Sequence, residues 1–123
     1  MLKKLDRKAI RKRIKERYRD KMHGSKDRPR LSVYRSLKHV SIQAFDDETA
    51  RVICSASTLE KDLRTKLKEK TGNCKASALV GQVMGERLKQ KGLTSAVFDR
   101  NGFRYHGVVK NLAEAVRSQG IQF

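Results

Sequence analysis

The chain has no run of about 18 apolar residues and no apolar stretch near its start, so a membrane span and a secretory leader are both unexpected and a cytoplasmic location follows. Cysteine is scarce: Cys54 and Cys74 stand in no CxxC spacing, and His23, His39 and His106 are scattered, so no zinc site is expected. Cys54 alternates within a strand-like pattern and reads as a small, reduced, buried hydrophobe. Acids are scarce too, 13 Asp and Glu against 30 Lys and Arg, for a formal net charge of +17. Such a charge repels itself unless a polyanion neutralises it. That polyanion is a nucleic acid or an anionic membrane.

Catalytic constellations are missing as well. Asp99 and His106 could suggest acid–base work, but no nucleophile, paired carboxylate or metal cluster is tied to them by a recognised spacing. The expectation is a chain that is no enzyme, with no cofactor, no metal and no small-molecule substrate. Gly81 and Gly85 form a GxxxG, yet Glu86, Arg87 and Lys89 rule out a transmembrane setting and no lysine follows in the phosphate-loop pattern. Close helix-to-sheet packing is the role expected of the two glycines.

The 123 residues suit one core. Residues 1–27 read as a basic arm, helical or ordered on binding, and 28–123 as a globular domain. Over residues 1–30, fourteen cations face four acids, which places +10 of the +17 at one end. On a helical wheel Ile10, Ile14 and Tyr18 make only a narrow apolar stripe, while Lys3, Lys4, Arg7, Lys8, Arg11, Lys12, Arg13, Lys15, Arg17, Arg19 and Lys21 cover the other directions. A lipid-lying helix needs a wide apolar face, so the arm suits phosphate rather than membrane. Residues 24–29 read as a linker.

Three strand patterns follow. They are 30–36, with Leu31, Val33 and Tyr34; 39–45, with Val40, Ile42 and Ala44 on one face; and 51–57, with Val52, Cys54 and Ala56 on one face. Short connections favour an antiparallel meander. Residues 58–73 carry Leu59, Leu63 and Leu67 four apart, a short helix or an ordered loop. Residues 75–91 repeat Ala76, Leu79, Val80, Val83, Met84 and Leu88 at helical intervals, with Gly92 as the stop. A short apolar run, 96–98, suits a fourth strand, and 108–119 a last helix. A helix between the third and fourth strands returns the chain parallel to a neighbour. The fold class is therefore α/β (α+β): a mixed sheet of about four strands, an antiparallel three-strand meander plus one parallel strand, covered by two helices, with a basic N-terminal helical arm. Arg87 falls inside the apolar stripe of its helix and must snorkel or be paired; a carboxylate partner is expected, with Asp99 the first candidate and Glu86 the local alternative.

Three surfaces could meet nucleic acid: the arm; a polar sheet face with Arg35, Lys38, His39, Ser41 and Gln43; and the stretch 99–107, which follows a strand and precedes a helix and holds Arg100, Asn101, Phe103, Tyr105 and His106. At least one of Phe103 and Tyr105 should plug the core.

The segments Arg28-Pro29-Arg30-Leu31-Ser32-Val33-Tyr34-Arg35-Ser36, Lys38-His39-Val40 and Ala56-Ser57-Thr58 resemble the first half of the bacterial large-subunit ribosomal protein L-eighteen family. Thr71-Gly72-Asn73, Val80-Gly81, Glu86-Arg87, Lys91-Gly92, Phe98-Asp99-Arg100, Gly102-Phe103, Tyr105-His106-Gly107 and Gly120-Ile121-Gln122-Phe123 are similar to the second half in order and spacing. The resemblance runs from Arg28 to the last residue; the arm matches only in being basic. It implies a structural constituent of the large (50S) ribosomal subunit that binds 5S rRNA, contacts 23S rRNA and helps attach the 5S particle at the central protuberance, beside ribosomal proteins L-five and L-twenty-five. The contacts it carries over are the arm, Arg28 and Arg30 at the first strand, Arg35, Ser36, Lys38 and His39 around the following corner, and Arg100, Asn101, Tyr105 and His106 in the loop. Ser41 stands where the family often has an aromatic, and Val108 where an arginine commonly follows the glycine. The alternative on composition is a basic nucleic-acid chaperone or DNA-compacting protein without a fixed target. A membrane-surface helix carried on a domain is a third, remoter class.

Overall fold

The structure, a computed structural model, describes residues 6–18, 22–36, 38–61, 63 and 74–123. Lys3, Lys4, Arg19, Lys21 and most of the 58–73 reading lie outside the described residues; within that reading Leu63 is buried and Leu59 exposed. The helices are α1 (Arg7–Tyr18), α2 (Cys74–Gln90) and α3 (Val108–Ser118), and the strands β1 (Arg30–Arg35), β2 (Val40–Asp46), β3 (Arg51–Ser57) and β4 (Val97–Asp99). The sheet runs β3-β2-β1-β4, antiparallel through the meander and parallel where β4 meets β1, as expected.

Local chemistry fixes both meander turns. At the first, the Ser36 N–H donates to the His39 carbonyl at 2.9 Å, and the His39 N–H donates to Ser36 Oγ at 3.1 Å. At the second, the Asp46 carboxylate accepts from the Glu48 N–H at 3.0 Å and the Thr49 hydroxyl at 2.9 Å. Alternation then buries Leu31 and Val33 of β1 with Val40, Ile42 and Ala44 of β2. Strand β3 departs from expectation: its register steps from Ala44↔Cys54 to Phe45↔Val52 and skips Ile53. That extra residue reverses the alternation, so Val52 turns outward while Ala56 stays buried, and the three residues do not share one face. Cys54 is half-buried, its sulfur 4.0 Å from that of Met84, and burial raises its thiol pKa.

Both helices bury their periodic residues in one cluster with the sheet, α2 through Val80, Met84 and Leu88 and α3 through Val109, Leu112 and Val116. The glycine pair has a different role from the one expected. A side chain at Gly81 would strike the Leu112 carbonyl oxygen and, at 2.8 Å, Ala115 Cβ; one at Gly85 would meet Gln119 Cβ at 2.6 Å. GxxxG thus serves helix-to-helix contact between α2 and α3, not helix-to-sheet contact. Arg87 is paired, but with neither expected acid: its guanidinium meets Glu60 at 2.8 Å and donates to the Ser55 carbonyl. Those groups lie where β3 ends, over which α2 passes, whereas Asp99 belongs to the far edge of the sheet.

The segment 24–29 is tied down rather than a loose linker. Gly24 is buried; its N–H donates to Asp47 Oδ2 at 2.7 Å and its carbonyl accepts from the Asp47 N–H at 3.0 Å. Pro29 is also buried, and its carbonyl accepts from the Val97 N–H at 2.9 Å. The last residues close the β4 side, with Gln122 bridging to Ser95 in parallel and Ile121 buried.

Gly81→Ala separates two effects of opposite sign. Alanine favours a helix interior by about 1 kcal/mol, but the methyl group must displace the backbone of α3, which costs about 1–3 kcal/mol. The variant is expected to unfold at lower denaturant concentration than the wild type, measured by far-UV circular dichroism.

Candidate nucleic-acid interface

The described part of the arm is a docked helix. Asp6 caps α1, its Oδ1 accepting from the Lys8 and Ala9 N–H groups at 3.1 and 3.2 Å. Lys15 and Arg17 occupy the last turn, where the helix dipole favours cations. No α1 residue is fully buried, and Ile10 remains 42% exposed, so the stripe holds the helix only through its lower part. The anchor is Tyr18. Its hydroxyl donates to Asp99 Oδ1 at 3.1 Å and accepts from the Gly102 N–H at 2.9 Å. Burial, first among several causes, raises the Tyr18 pKa, which keeps the proton that makes the Asp99 bond. Further up the helix the Arg11 guanidinium lies 4.6 Å from the centre of the Phe103 ring. Gly102, at φ +78°, lets the loop press against the α1 backbone; a side chain there would meet the Arg11 carbonyl oxygen at 2.5 Å.

Behind this contact sits an ion-pair bridge. Arg30 presents Nε and Nη2 to Asp47 at 2.9 and 3.1 Å and Nη1 to Asp99 at 2.8 Å, with its guanidinium carbon 4.9 Å from the centre of the Phe45 ring. Donating to Asp47 raises the Arg30 pKa, and accepting from Arg30 holds the Asp47 carboxyl below the usual carboxylate range. A cleft of about 710 Å³ opens between this bridge and α1, with Lys12, Lys15 and Glu16 on the helix side.

The expected contact residues divide into groups. Arg7, Lys8, Lys12, Arg13, Lys15 and Arg17 are exposed along α1. Arg100 and Asn101 join them through the docked loop: Asn101 has φ +54° and donates its N–H to Asp99, while Arg100 reaches back over the Tyr18 ring at 5.5 Å. Arg30 is turned inward, with both ends of its fork occupied by carboxylates. Arg28 is exposed beside Ala96, and Tyr105 and His106 lie exposed further along the loop. At the other corner Ser36 and Lys38 are exposed, and half-buried His39 hydrogen-bonds Thr58 Oγ1 through Nδ1 at 3.1 Å. Arg35, in register with Val40, falls by alternation on the core side and is exposed where β1 outruns the core, so it is not part of the polar face assigned to it. Tyr34 takes that place, 52% exposed and edge-on to Phe103 at 6.1 Å. Phe103 itself is half-buried against the core.

Three roles were not visible beforehand: Asp47 as the second carboxylate on Arg30, Tyr18 as the anchor, and Tyr34 as the link between sheet and loop. The hydropathy pattern marked Tyr18 and Tyr34 but not their partners, which are distant in sequence.

Sequence similarity to known proteins extends along the chain. Residues 5–123 match the family described as "Ribosomal L18 of archaea, bacteria, mitoch. and chloroplast". The chain belongs to this family. It is 46% identical over 123 residues to the "Large ribosomal subunit protein uL18" of Kosmotoga olearia, covering all of both chains, and 45% identical to that of Solibacter usitatus over the same length. A relative of the same name from Prochlorococcus marinus is 49% identical over 108 residues, 88% of each chain. The ribosomal L-eighteen family consists of structural ribosome components rather than enzymes. In this member Asp99 is fully engaged by Arg30, Tyr18 and Asn101, with His106 exposed outside that network. Among the described residues, no helix is long and apolar enough to cross a membrane.

The depressed Asp47 carboxyl ties stability to pH. Because its folded-state pKa lies below the unfolded one, its contribution is complete above the ordinary carboxylate range and is lost as pH falls through the depressed value. Asp47→Asn is expected to cost about 2 kcal/mol near neutral pH and to flatten the fall in stability toward pH 3, followed by denaturant unfolding at a series of pH values.

Proposed function

We propose that the chain is a structural constituent of the large ribosomal subunit that binds 5S rRNA and mediates its attachment to 23S rRNA in the central protuberance, next to ribosomal proteins L-five and L-twenty-five. The observation that carries the proposal is the end-to-end similarity to large-subunit ribosomal proteins. The geometry supports it. A cationic helix is pinned to a loop carrying Arg100, Asn101, Tyr105 and His106, so phosphate contacts and base or ribose contacts come from one surface, which is how structured RNA is held and told apart. In this reading residues 1–27 supply most of the electrostatic grip and 28–123 most of the selectivity. The Lys38–His39 corner and Arg28 extend the surface, and Arg30 acts from within by holding the arm. A chaperone without a fixed target would need the charge but not the docked loop.

A gel-shift series at rising salt with 5S rRNA, an unrelated structured RNA and duplex DNA tests the proposal. The 5S complex is expected to persist at salt concentrations that remove the other two, whereas equal loss of all three would reject the 5S reading in favour of the chaperone. Replacing Lys8, Arg13 and Arg17 together by glutamine is expected to lower the slope of log affinity against log salt by up to about 3, with the order of preference among the three nucleic acids unchanged.

A further inference from the structure

A second cleft, of about 410 Å³, opens on the β4 side of the loop. Four aromatic rings line it: Tyr18, Phe98, Tyr105 and Phe123. Phe98 lies nearly parallel to Phe123 at 5.4 Å and edge-on to Tyr105 at 6.1 Å, which fixes their planes. Arg28, Arg100 and Arg117 also line it, and no carboxylate side chain lines it among the described residues. Each of these arginines reaches a main-chain oxygen, and Arg117 a tyrosine hydroxyl as well. Arg28 Nε reaches the Ala96 carbonyl at 3.5 Å, and Arg100 Nη1 the Phe103 carbonyl at 3.3 Å. Arg117 is the most committed, 4.5 Å over the Phe123 ring and donating to the Phe123 main-chain oxygen at 3.1 Å and the Tyr105 hydroxyl at 3.3 Å. It serves as a wall and orients the rings, while Arg28 and Arg100 are left to meet an anion.

We infer that this cleft takes a single unpaired nucleotide of the bound RNA, its base stacked on the exposed Tyr105 ring at the edge of the Phe98–Phe123 pair and its phosphate drawn to Arg28 and Arg100. The inference rests on the RNA-binding reading above and adds to it a base-holding site. Ring faces suit any base, and cations without side-chain carboxylate partners suit its phosphate. An apolar side chain of a neighbouring protein would fill the rings but bury the arginines without an anion, which is unfavourable. Continuity favours the nucleotide too: Tyr18 ends the basic helix, and Arg100 and Tyr105 belong to the loop docked against it, so a strand following α1 passes the mouth of the cleft.

The test uses the full chain with 5S rRNA. Tyr105→Ala, which alters a residue 41% exposed, is expected to weaken binding roughly tenfold with the salt slope unchanged, because stacking releases no counterions. Arg28→Gln is expected to lower the slope by about 1. Thermal melts confirm that both variants are folded. Ultraviolet crosslinking of the wild type, mapped by mass spectrometry, is expected to join Phe98, Tyr105 or Phe123 to one nucleotide. Wild-type binding with both variants unimpaired and no crosslink in the cleft overturns the cleft proposal alone. A crosslink from these rings to a protein, in assembled large subunits, overturns it in favour of a protein contact. Failure of the wild type to prefer 5S rRNA overturns the parent reading and this inference together.

Discussion

The fork of Arg30 holds two carboxylates that the chain brings from the two strands flanking its own. Asp47 follows β2 and Asp99 ends β4, and β1, which carries Arg30, lies between them. Each acid holds something else. Asp47 binds the N–H of Gly24 and so fixes the chain as it approaches β1; Asp99 binds Tyr18 and Asn101 and so fixes the end of α1 and the start of the loop. Only a planar guanidinium with several donors can satisfy both partners at once; a lysine ammonium offers one point charge and no fork. The bridge is half-buried, so its Coulomb gain is largely offset by desolvation, and its main effect is to select one geometry. Through it the approach to β1, the end of the arm and the start of the loop share one anchor.

The same bridge resolves an electrostatic difficulty. A helix with Lys12 and Lys15 on the side of a domain that is itself basic should be repelled from it. Two of the 13 acids, Asp47 and Asp99, are placed where that helix docks, so the cations already there, Arg30 and Arg100, are offset and α1 does not meet an uncompensated positive surface. Two further acids are engaged within the fold, Asp46 in its turn and Glu60 on Arg87. The outward cations of α1 are thereby left for an external polyanion, and the arrangement inside sets the direction in which the positive field points.

Much of the fold was legible because its signals are local. Alternation in β2, the three- and four-residue spacing of α2 and α3, and Gly92 as a stop each report on a few consecutive residues. What the pattern missed depends on a single residue or on distant pairing. The skipped Ile53 turns Val52 outward, and a run of alternating apolar residues cannot announce one extra member. Arg87 was legible as a residue that needs a partner, but choosing Glu60 over Asp99 requires knowing which edge of the sheet α2 crosses. Gly24 looked like linker material because glycine and proline near charges usually are; its burial follows from Asp47, a residue far along the chain. For the candidate site the types were visible and the assembly was not. Arginine, glycine and aromatics in 99–107 suggested an RNA-facing loop, yet nothing in the sequence joined it to Tyr18.

That join alters how affinity and selectivity relate. A basic arm on a flexible tether would contact phosphates of any RNA in reach, and each contact would carry the entropy of ordering the tether. Docked through Tyr18, with Arg11 laid over Phe103 and Phe103 against Tyr34, the arm has a fixed direction with respect to the sheet. Under the proposed RNA-binding function, its cations meet phosphates best where the RNA backbone runs along α1 while another part of the same RNA fits the loop. Phosphate contacts, which carry no sequence information singly, become selective for shape once their spacing to the loop is fixed. In the proposed reading the charge of the arm supplies strength, and the Tyr18 hydroxyl, held between Asp99 and Gly102, helps set the direction from which an RNA meets it.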